Sequence, residues 1–264
     1  MEKYNVHLKK RLGQNFLKDS NIPKMMVNLI NDKDNSLVIE VGPGGGILTR
    51  ELASNYTQVL AYEIDNSLEE ELNTRIGSFS NVQVLYKDFL KTNLKNDISK
   101  YTNMRKYFIS NVPYYITSPI ILKLIDSNVM FDKIVMMVQK EVGERFTATV
   151  KTKNYGAITV LLQYFYDIKK EINVSRNNFI PVPNVDSLVI SFTPRKNREE
   201  VKDLDKFRRL VNDAFQFKRK TIKNNLRNYD LEAIEKVLLK NNLDLNSRAE
   251  EIKVSVFCEI SNII

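Results

Sequence analysis

The chain has 264 residues, 43% of them hydrophobic, and a formal net charge of +8. That length admits one large domain or two smaller ones, with enough apolar residues for a core. One cysteine, Cys258, and one histidine, His7, exclude a disulfide framework and make thiolate metal sites and histidine triads poor expectations. The basic balance favours a polyanionic partner, either nucleic acid or an anionic membrane surface. No apolar run reaches spanning length, and the first residues lack the apolar core of a signal peptide, so a cytosolic protein is expected.

In chain order, residues 1–20 are polar and basic, with Lys9, Lys10 and Arg11 ahead of Leu12-Gly13-Gln14-Asn15-Phe16-Leu17. Asp19 or Ser20 can cap a helix over Ile22–Ile30, with Pro23 in the first turn, where its missing N–H costs nothing. Apolar runs and helical patterns then alternate. Strands are expected at Ser36–Val41, Val59–Tyr62, Val82–Tyr86, Tyr107–Asn111 and Ile134–Val138. Helices are expected between the first three, over Leu48–Leu52 and Leu68–Leu72. This alternation predicts an α/β protein with an open parallel sheet covered on both faces. Leu188–Phe192 reads as a late strand. After Pro194 the spacing becomes helical, over 203–217, 231–239 and 254–263, with Ser247–Glu250 patterned as a capping box. The expected division is a catalytic domain over 1–196 and a small all-α domain over 197–264. Cys258 lies in an apolar stretch and reads as a buried structural thiol.

Glu40-Val41-Gly42-Pro43-Gly44-Gly45-Gly46 is a glycine-rich strand-to-helix turn. Alone it suits a dinucleotide or a tight turn without ligand. Glu40, just before the first glycine, is better suited to water or an amino group than to pyrophosphate. Glu63 ends the next strand, where a carboxylate can accept ribose hydroxyls. Asp88 ends the third, where it can accept an adenine amine or cap a helix. In an open α/β sheet, ligands lie beyond the carboxyl ends of the strands. Gly42, Glu63, Asp88 and Asn111 all fall at such ends. The combination points to S-adenosylmethionine.

Asn111-Val112-Pro113-Tyr114 ends the fourth strand, with Tyr115 beside it. The exocyclic amine of adenine is a weak nucleophile, because its lone pair is delocalised into the ring. An Asn oxygen and the Val112 carbonyl can accept its two N–H bonds as nitrogen becomes tetrahedral, and a Tyr ring can stack on the base. Such transfer needs orientation and acceptors rather than a nucleophile or metal. Methylation at pyrimidine carbon would need a cysteine, and Cys258 lies far from these motifs.

These motifs together resemble the KsgA-type ribosomal RNA adenine dimethyltransferases from end to end. The carriers are Lys9–Leu17, Glu40–Gly46 with Leu48-Thr49, Glu63, Asp88-Phe89, Asn111–Tyr115, Phe179–Ser187 and Ala214–Leu226. The resemblance implies a Rossmann-like class I methyltransferase with a mostly parallel seven-stranded sheet and a small C-terminal helical domain. It implies that Gln14, Asn15, Leu17, Glu40, Gly42, Gly44, Glu63, Asp88, Phe89 and Asn111 hold S-adenosylmethionine. It implies that Asn111, Val112, Pro113, Tyr114 and Phe179 form the base site, Phe179 holding the base with Tyr114. It further implies dimethylation of N6 on two adjacent adenosines near the 3′ end of small-subunit rRNA, on a subunit assembly intermediate, by a monomer.

Two features set this chain among its relatives. Val112 stands for a commoner Leu, and Tyr115 stands where some relatives carry Asn. The Erm-type resistance enzymes, which modify large-subunit rRNA, usually have Asp where this chain has Pro119. Lys218, Arg219, Lys220, Lys223 and Arg227 form a run with no acidic residue, expected to meet RNA phosphates together with Lys9, Lys10 and Arg11. The resemblance also implies a basic helix there. The alternatives are an Erm-type enzyme, a non-catalytic ribosome assembly factor with the same fold, and a DNA adenine or protein glutamine methyltransferase. The last two substrates leave the late-strand signature and basic tail unaccounted for.

Overall fold

The computed structural model describes residues 15–264. It resolves into two compact units. The described part of the first runs to Gly143 and resumes over Lys169–Thr193; the second comprises Glu144–Ile168 and Pro194–Ile264. The helical unit therefore draws in a segment from the middle of the chain, and a boundary near 197 describes only the second of its two pieces.

The first unit begins with the two-residue strand β1 (Phe16–Leu17) and helix α1 (Asn21–Val27). Ser20 precedes α1 without a side-chain cap bond, while Asp19 Oδ1 accepts the Asn21 N–H at 2.8 Å. Then follow β2 (Ser36–Val41), α2 (Ile47–Asn55), β3 (Gln58–Glu63), α3 (Glu69–Ile76) and β4 (Val82–Tyr86). After the short α4 (Leu94–Asp97) come β5 (Arg105–Asn111), α5 (Thr117–Asp126), β6 (Lys133–Gln139) and α6 (Lys140–Phe146). Helix α7 (Ala157–Phe165) leads into β7 (Tyr166–Val174), and β8 (Phe179–Ile180) and β9 (Ser187–Pro194) complete the strands.

The seven-stranded sheet has the order β4-β3-β2-β5-β6-β9-β7. Strands β4 through β6 pair in parallel, and β9 runs antiparallel to β6. All six residues of β2 are buried, as expected for a central strand covered on both faces. The chain builds outward from β2 to β4 and then returns to place β5 on the other side of β2. That reversal opens a crevice beyond the carboxyl ends of β2 and β5. Met26, Val38, Leu52, Ile109, Val135, Met137 and Val189 belong to one core cluster of this unit. Strand β1 pairs with β8 outside the main sheet, Leu17 opposite Phe179.

The second unit groups α7 with α8 (Leu204–Ala214), the one-turn α9 (Ile222–Asn225), α10 (Leu231–Lys240) and α11 (Val254–Ile263). Asp203 and Asp230 cap α8 and α10 by accepting the Lys206 and Ala233 N–H groups, which satisfies donors that the first turn of a helix otherwise leaves unpaired. Phe207, Leu210, Ile234, Leu238, Phe257 and Cys258 close one core. Burial pushes the Cys258 thiol up to about 12, which leaves it protonated and packed, as a structural thiol should be.

Two sequence expectations fail here. The basic run is not one long helix. Helix α8 stops at Ala214, and Asn225 folds back, donating to the Ala214 carbonyl at 2.7 Å and accepting the Phe217 N–H at 3.3 Å. The Ser247–Glu250 capping box is displaced by one residue. Glu251 accepts the Arg248 N–H at 2.7 Å, whereas Ser247 Oγ closes the preceding turn by accepting the Asp244 N–H.

Candidate active site

A cavity of about 310 Å³ lies within the first unit, beyond the carboxyl ends of β2 to β5. This is within the usual size range of a small-molecule site. It gathers residues from four strand ends and from the stretch around β1, because parallel strands in register deliver their last residues to one edge.

The glycine turn after β2 forms its floor. Gly42, Gly44 and Gly46 have φ of 75°, 55° and 77°, a region that side chains rarely adopt. At Gly44 the approach is also close: a Cβ there would lie 2.7 Å from Phe16 Cε1. The turn is fixed by the Gly42 N–H to the Tyr62 carbonyl, 2.8 Å, and the Gly46 N–H to the Pro43 carbonyl, 2.9 Å.

Two carboxylates flank this turn. Glu40 is 1% exposed, and its Oε2 has no hydrogen-bond partner. Burial pushes its carboxyl up to about 8; the Thr49 side chain pulls the other way and Glu63 adds to the rise. A buried acceptor without a partner is costly and fits a cationic or hydrogen-bonding ligand group. Glu63 is 4% exposed. Its two oxygens accept the Gly44 N–H at 3.2 Å and the Asp65 N–H at 2.9 Å, which orients the carboxylate and leaves lone pairs for a ligand diol. Burial raises its carboxyl too, against the opposing effect of these N–H groups.

The far wall comes from β4. Asp88 and Phe89 line the cavity. Asp88 Oδ1 accepts the Leu90 N–H at 2.9 Å, so it caps the turn after the strand and borders the cavity at once. The Phe89 ring meets Tyr62 edge-on at 5.0 Å. Lys87 and Tyr62, which belong to none of the sequence motifs, also line this wall. Asp97 joins them, accepting from Lys87 Nζ at 2.8 Å and the Tyr62 hydroxyl at 3.0 Å. A Lys before Asp88 carries no sequence signal of its own; only the fold brings Asp97 beneath it.

Asn111 through Ile116 close the other side. Asn111 Nδ2 lies 3.5 Å from the Asn15 carbonyl, an orientation that turns the amide oxygen to other use. The Val112 side chain is buried, while the Ile116 N–H closes the turn onto the Pro113 carbonyl at 3.1 Å. The Tyr114 hydroxyl lies 2.7 Å from Ser187 Oγ. Burial raises the Tyr114 phenol, Ser187 opposes this and Asp186 adds to it, so the ring stays neutral. Tyr115 is 57% exposed at the mouth.

Asn15, Leu17, Glu40, Gly42, Gly44, Glu63, Asp88, Phe89, Asn111, Val112, Pro113 and Tyr114 thus share one cavity. Phe179 does not line it. Its ring is fully buried in the core cluster, opposite Leu17, because the two-residue β8 turns that side chain inward. Gln14, Lys9, Lys10 and Arg11 lie outside the described residues. Lys218, Arg219, Lys220, Lys223 and Arg227 belong to the second unit and are all exposed. Lys218 Nζ is turned to the Lys153 carbonyl at 2.5 Å. Among the described residues there is no cluster of side chains able to hold a metal ion, and no helix is long and apolar enough to cross a membrane.

The orphaned Glu40 oxygen, the Cβ-excluding turn at Gly44 and the oriented Glu63 carboxylate all suit S-adenosylmethionine, with a cationic amino-acid end, a ribose diol and an adenine. Comparison with known proteins agrees. A Thermotoga neapolitana protein named ribosomal RNA small subunit methyltransferase A is 40% identical, covering 100% of this chain and 94% of that one. A Mycoplasma mobile protein of the same name is 41% identical over 95% of this chain and 96% of its own length. Among solved structures, a Plasmodium falciparum dimethyladenosine transferase superimposes with a TM-score of 0.76 at 25% identity, covering 92% of this chain and 95% of that one. The 23S rRNA methyltransferase ErmE gives 0.73, also at 25% identity, covering 94% and 98%. The ribosomal RNA adenine dimethylase family matches residues 5–264, and this chain belongs to it.

Proposed function

We propose that the protein uses S-adenosylmethionine to dimethylate N6 of two adjacent adenosines in the 3′-terminal hairpin of small-subunit rRNA, working as a cytoplasmic monomer on a subunit assembly intermediate. The observation that carries this reading is the single cavity joining the Glu40, Glu63 and Asp88 carboxylates to Asn111–Tyr114. The full-length relatives named for the small subunit support the choice of target.

The bound cofactor supplies an electrophilic methyl group on sulfur. The chain's own residues do the rest. Glu40 receives the cationic amino-acid end, directly or through water. Glu63 accepts the ribose hydroxyls, and Asp88 with Phe89 holds the cofactor adenine. Asn111 Oδ1 and the Val112 carbonyl accept the two N–H bonds of the target amine, drawing its lone pair out of the ring and towards the methyl group. Tyr114 fixes the plane of the base, which must first leave its stack at a cost of a few kcal/mol; stacking returns about 1–3 kcal/mol. No general base is needed, because the methylated nitrogen is acidic and releases its proton to solvent. Lys218, Arg219, Lys220, Lys223 and Arg227, with Lys9, Lys10 and Arg11, contact rRNA phosphates.

The resemblance of fold to a 23S rRNA methyltransferase keeps a large-subunit target as the second reading, against which stands Pro119. Transfer of labelled methyl to unmethylated small and large subunits, followed by nucleoside analysis, tests both. Dimethyladenosine in the small subunit alone is expected. Label in the large subunit would favour the second reading. Absence of label with intact subunit binding would leave an assembly factor.

A further inference from the structure

We propose that Ser187 is a positioning residue for methyl transfer, holding the Tyr114 ring at the angle that receives the target base. The inference rests on the reading of Tyr114 as the stacking residue.

The two hydroxyls are 73 positions apart in sequence and 2.7 Å apart in space. Ser187 is fully buried. It opens β9 opposite Gln139 of β6, and its backbone is anchored on the preceding side as well. The Asp186 carbonyl accepts the Lys140 N–H at 3.0 Å, and Asp186 Oδ1 accepts the Arg176 N–H at 3.0 Å. Ser187 Oγ is therefore a fixed point. The Tyr114 backbone is held locally, its carbonyl accepting the Thr117 hydroxyl at 3.2 Å, but that bond does not reach the ring. Tyr114 starts a single turn, Tyr114–Ile116, in which no residue is buried, directly after Pro113. A ring on such a turn, with a cavity on one side, can swing about two side-chain torsions unless something holds its far end.

The chemistry of stacking sharpens the point. A phenyl face stacks on a base as well as a phenol face does, so stacking alone gives no reason for the hydroxyl. A bond at the ring's outer edge explains it. Both groups are neutral, since burial keeps the phenol protonated, and either can donate. The same stretch of chain begins with Phe179 packed in the core and ends with Ser187 holding Tyr114. On this view its contribution to the base site passes through Ser187.

The test is a double-mutant cycle on the full chain with unmethylated small subunits. Ser187→Ala and Tyr114→Phe remove the bond from opposite ends, and Tyr114→Phe adds no cavity. Each should slow single-turnover methylation by about tenfold, as misplacement of a reacting group does. S-adenosylmethionine affinity should not change in either. The double variant should be no slower than the single ones, because both remove one interaction. Losses that multiply, or a full rate in Tyr114→Phe, would overturn the proposal. Tyr114→Ala separates it from the underlying reading: an unimpaired rate there would refute the stacking role itself, whereas a large loss with unimpaired Ser187→Ala and Tyr114→Phe would refute only the tether.

Discussion

The cavity in the first unit and the basic run in the second are built on opposite principles. In the cavity, shape comes first. Strand ends in register and a left-handed glycine turn hold the Glu63 carboxylate against its N–H partners. In the basic run, charge comes first. Five exposed cations lie on irregular chain and a one-turn helix. The difference teaches that the two regions should fail differently. A cavity residue should act on chemistry or cofactor whatever the salt concentration. A basic residue should act on binding and do so through salt, since neutralising phosphates releases counterions.

The largest expected effect is at the cavity's target end. Asn111→Ala should lower methyl transfer by about a hundredfold or more, the scale of losing a placed acceptor of developing charge. Co-sedimentation with small subunits should be retained. Equal loss of both would break the contrast. Next is Gly44→Ala, where positive φ and the 2.7 Å approach to Phe16 act together. Strain of that kind costs about 1–3 kcal/mol. Calorimetric melting should fall and cofactor titration should weaken, with subunit binding unaffected.

On the other side of the contrast, replacing Lys218, Arg219 and Lys220 together by Gln should reduce subunit affinity several-fold. The log–log salt slope should fall by roughly one for each phosphate that is no longer neutralised. A titration series in salt reads this directly, and an unchanged slope would remove these residues from the RNA surface. Cofactor affinity should stay the same.

The smallest effect concerns pH. Glu40 is raised from an ordinary carboxyl value of 4.5 to about 8, so the folded cofactor-free protein holds a proton that the unfolded chain gives up. Its contribution to stability is present in full below 4.5 and is lost as pH rises through about 8. Glu40→Gln should flatten that part of the decline in melting temperature between about pH 4.5 and 8. A cationic ligand group favours the ionised form, so wild-type cofactor affinity should rise over the same range and that of Glu40→Gln should not. Parallel pH profiles for the two proteins would refute the assignment.

Much of the first unit is legible in the sequence because central parallel strands are continuous apolar runs. Ser36–Val41 and Val82–Tyr86 agree with their apolar runs to the residue. The strand ends then place Glu63, Asp88 and Asn111 without further information. What escapes is structure without a period. Helix α7 is apolar on nearly every side and shows no polar face. Strand β7 carries Asp167, Lys169, Lys170 and Glu171 and reads as exposed chain, because it is the edge of the sheet. Strands β1 and β8 have two residues each, too few for alternation to register. That blindness has a consequence at the site. The motif assigns Phe179 to the base, yet its direction depends on β8, which turns it into the core. Tyr114 falls beside the cavity as its motif implies, but its partner Ser187 is a tertiary neighbour that no local pattern announces.

The pairing of β1 with β8 bears on when the enzyme becomes an enzyme. Phe16 and Leu17 border the cavity from the beginning of the described chain, but their strand partners Ile180 and Phe179 are made more than 160 residues later. A ribosome that has just released β6 has already delivered all five parallel strands, the glycine turn and the cofactor carboxylates. The clip over β1 and the hydroxyl beside Tyr114 are still to be synthesised. Because a domain folds as a unit, the cavity is not closed until those later residues have joined it. The Ser187 hydroxyl reaches Tyr114 only with β9 in place antiparallel beside β6.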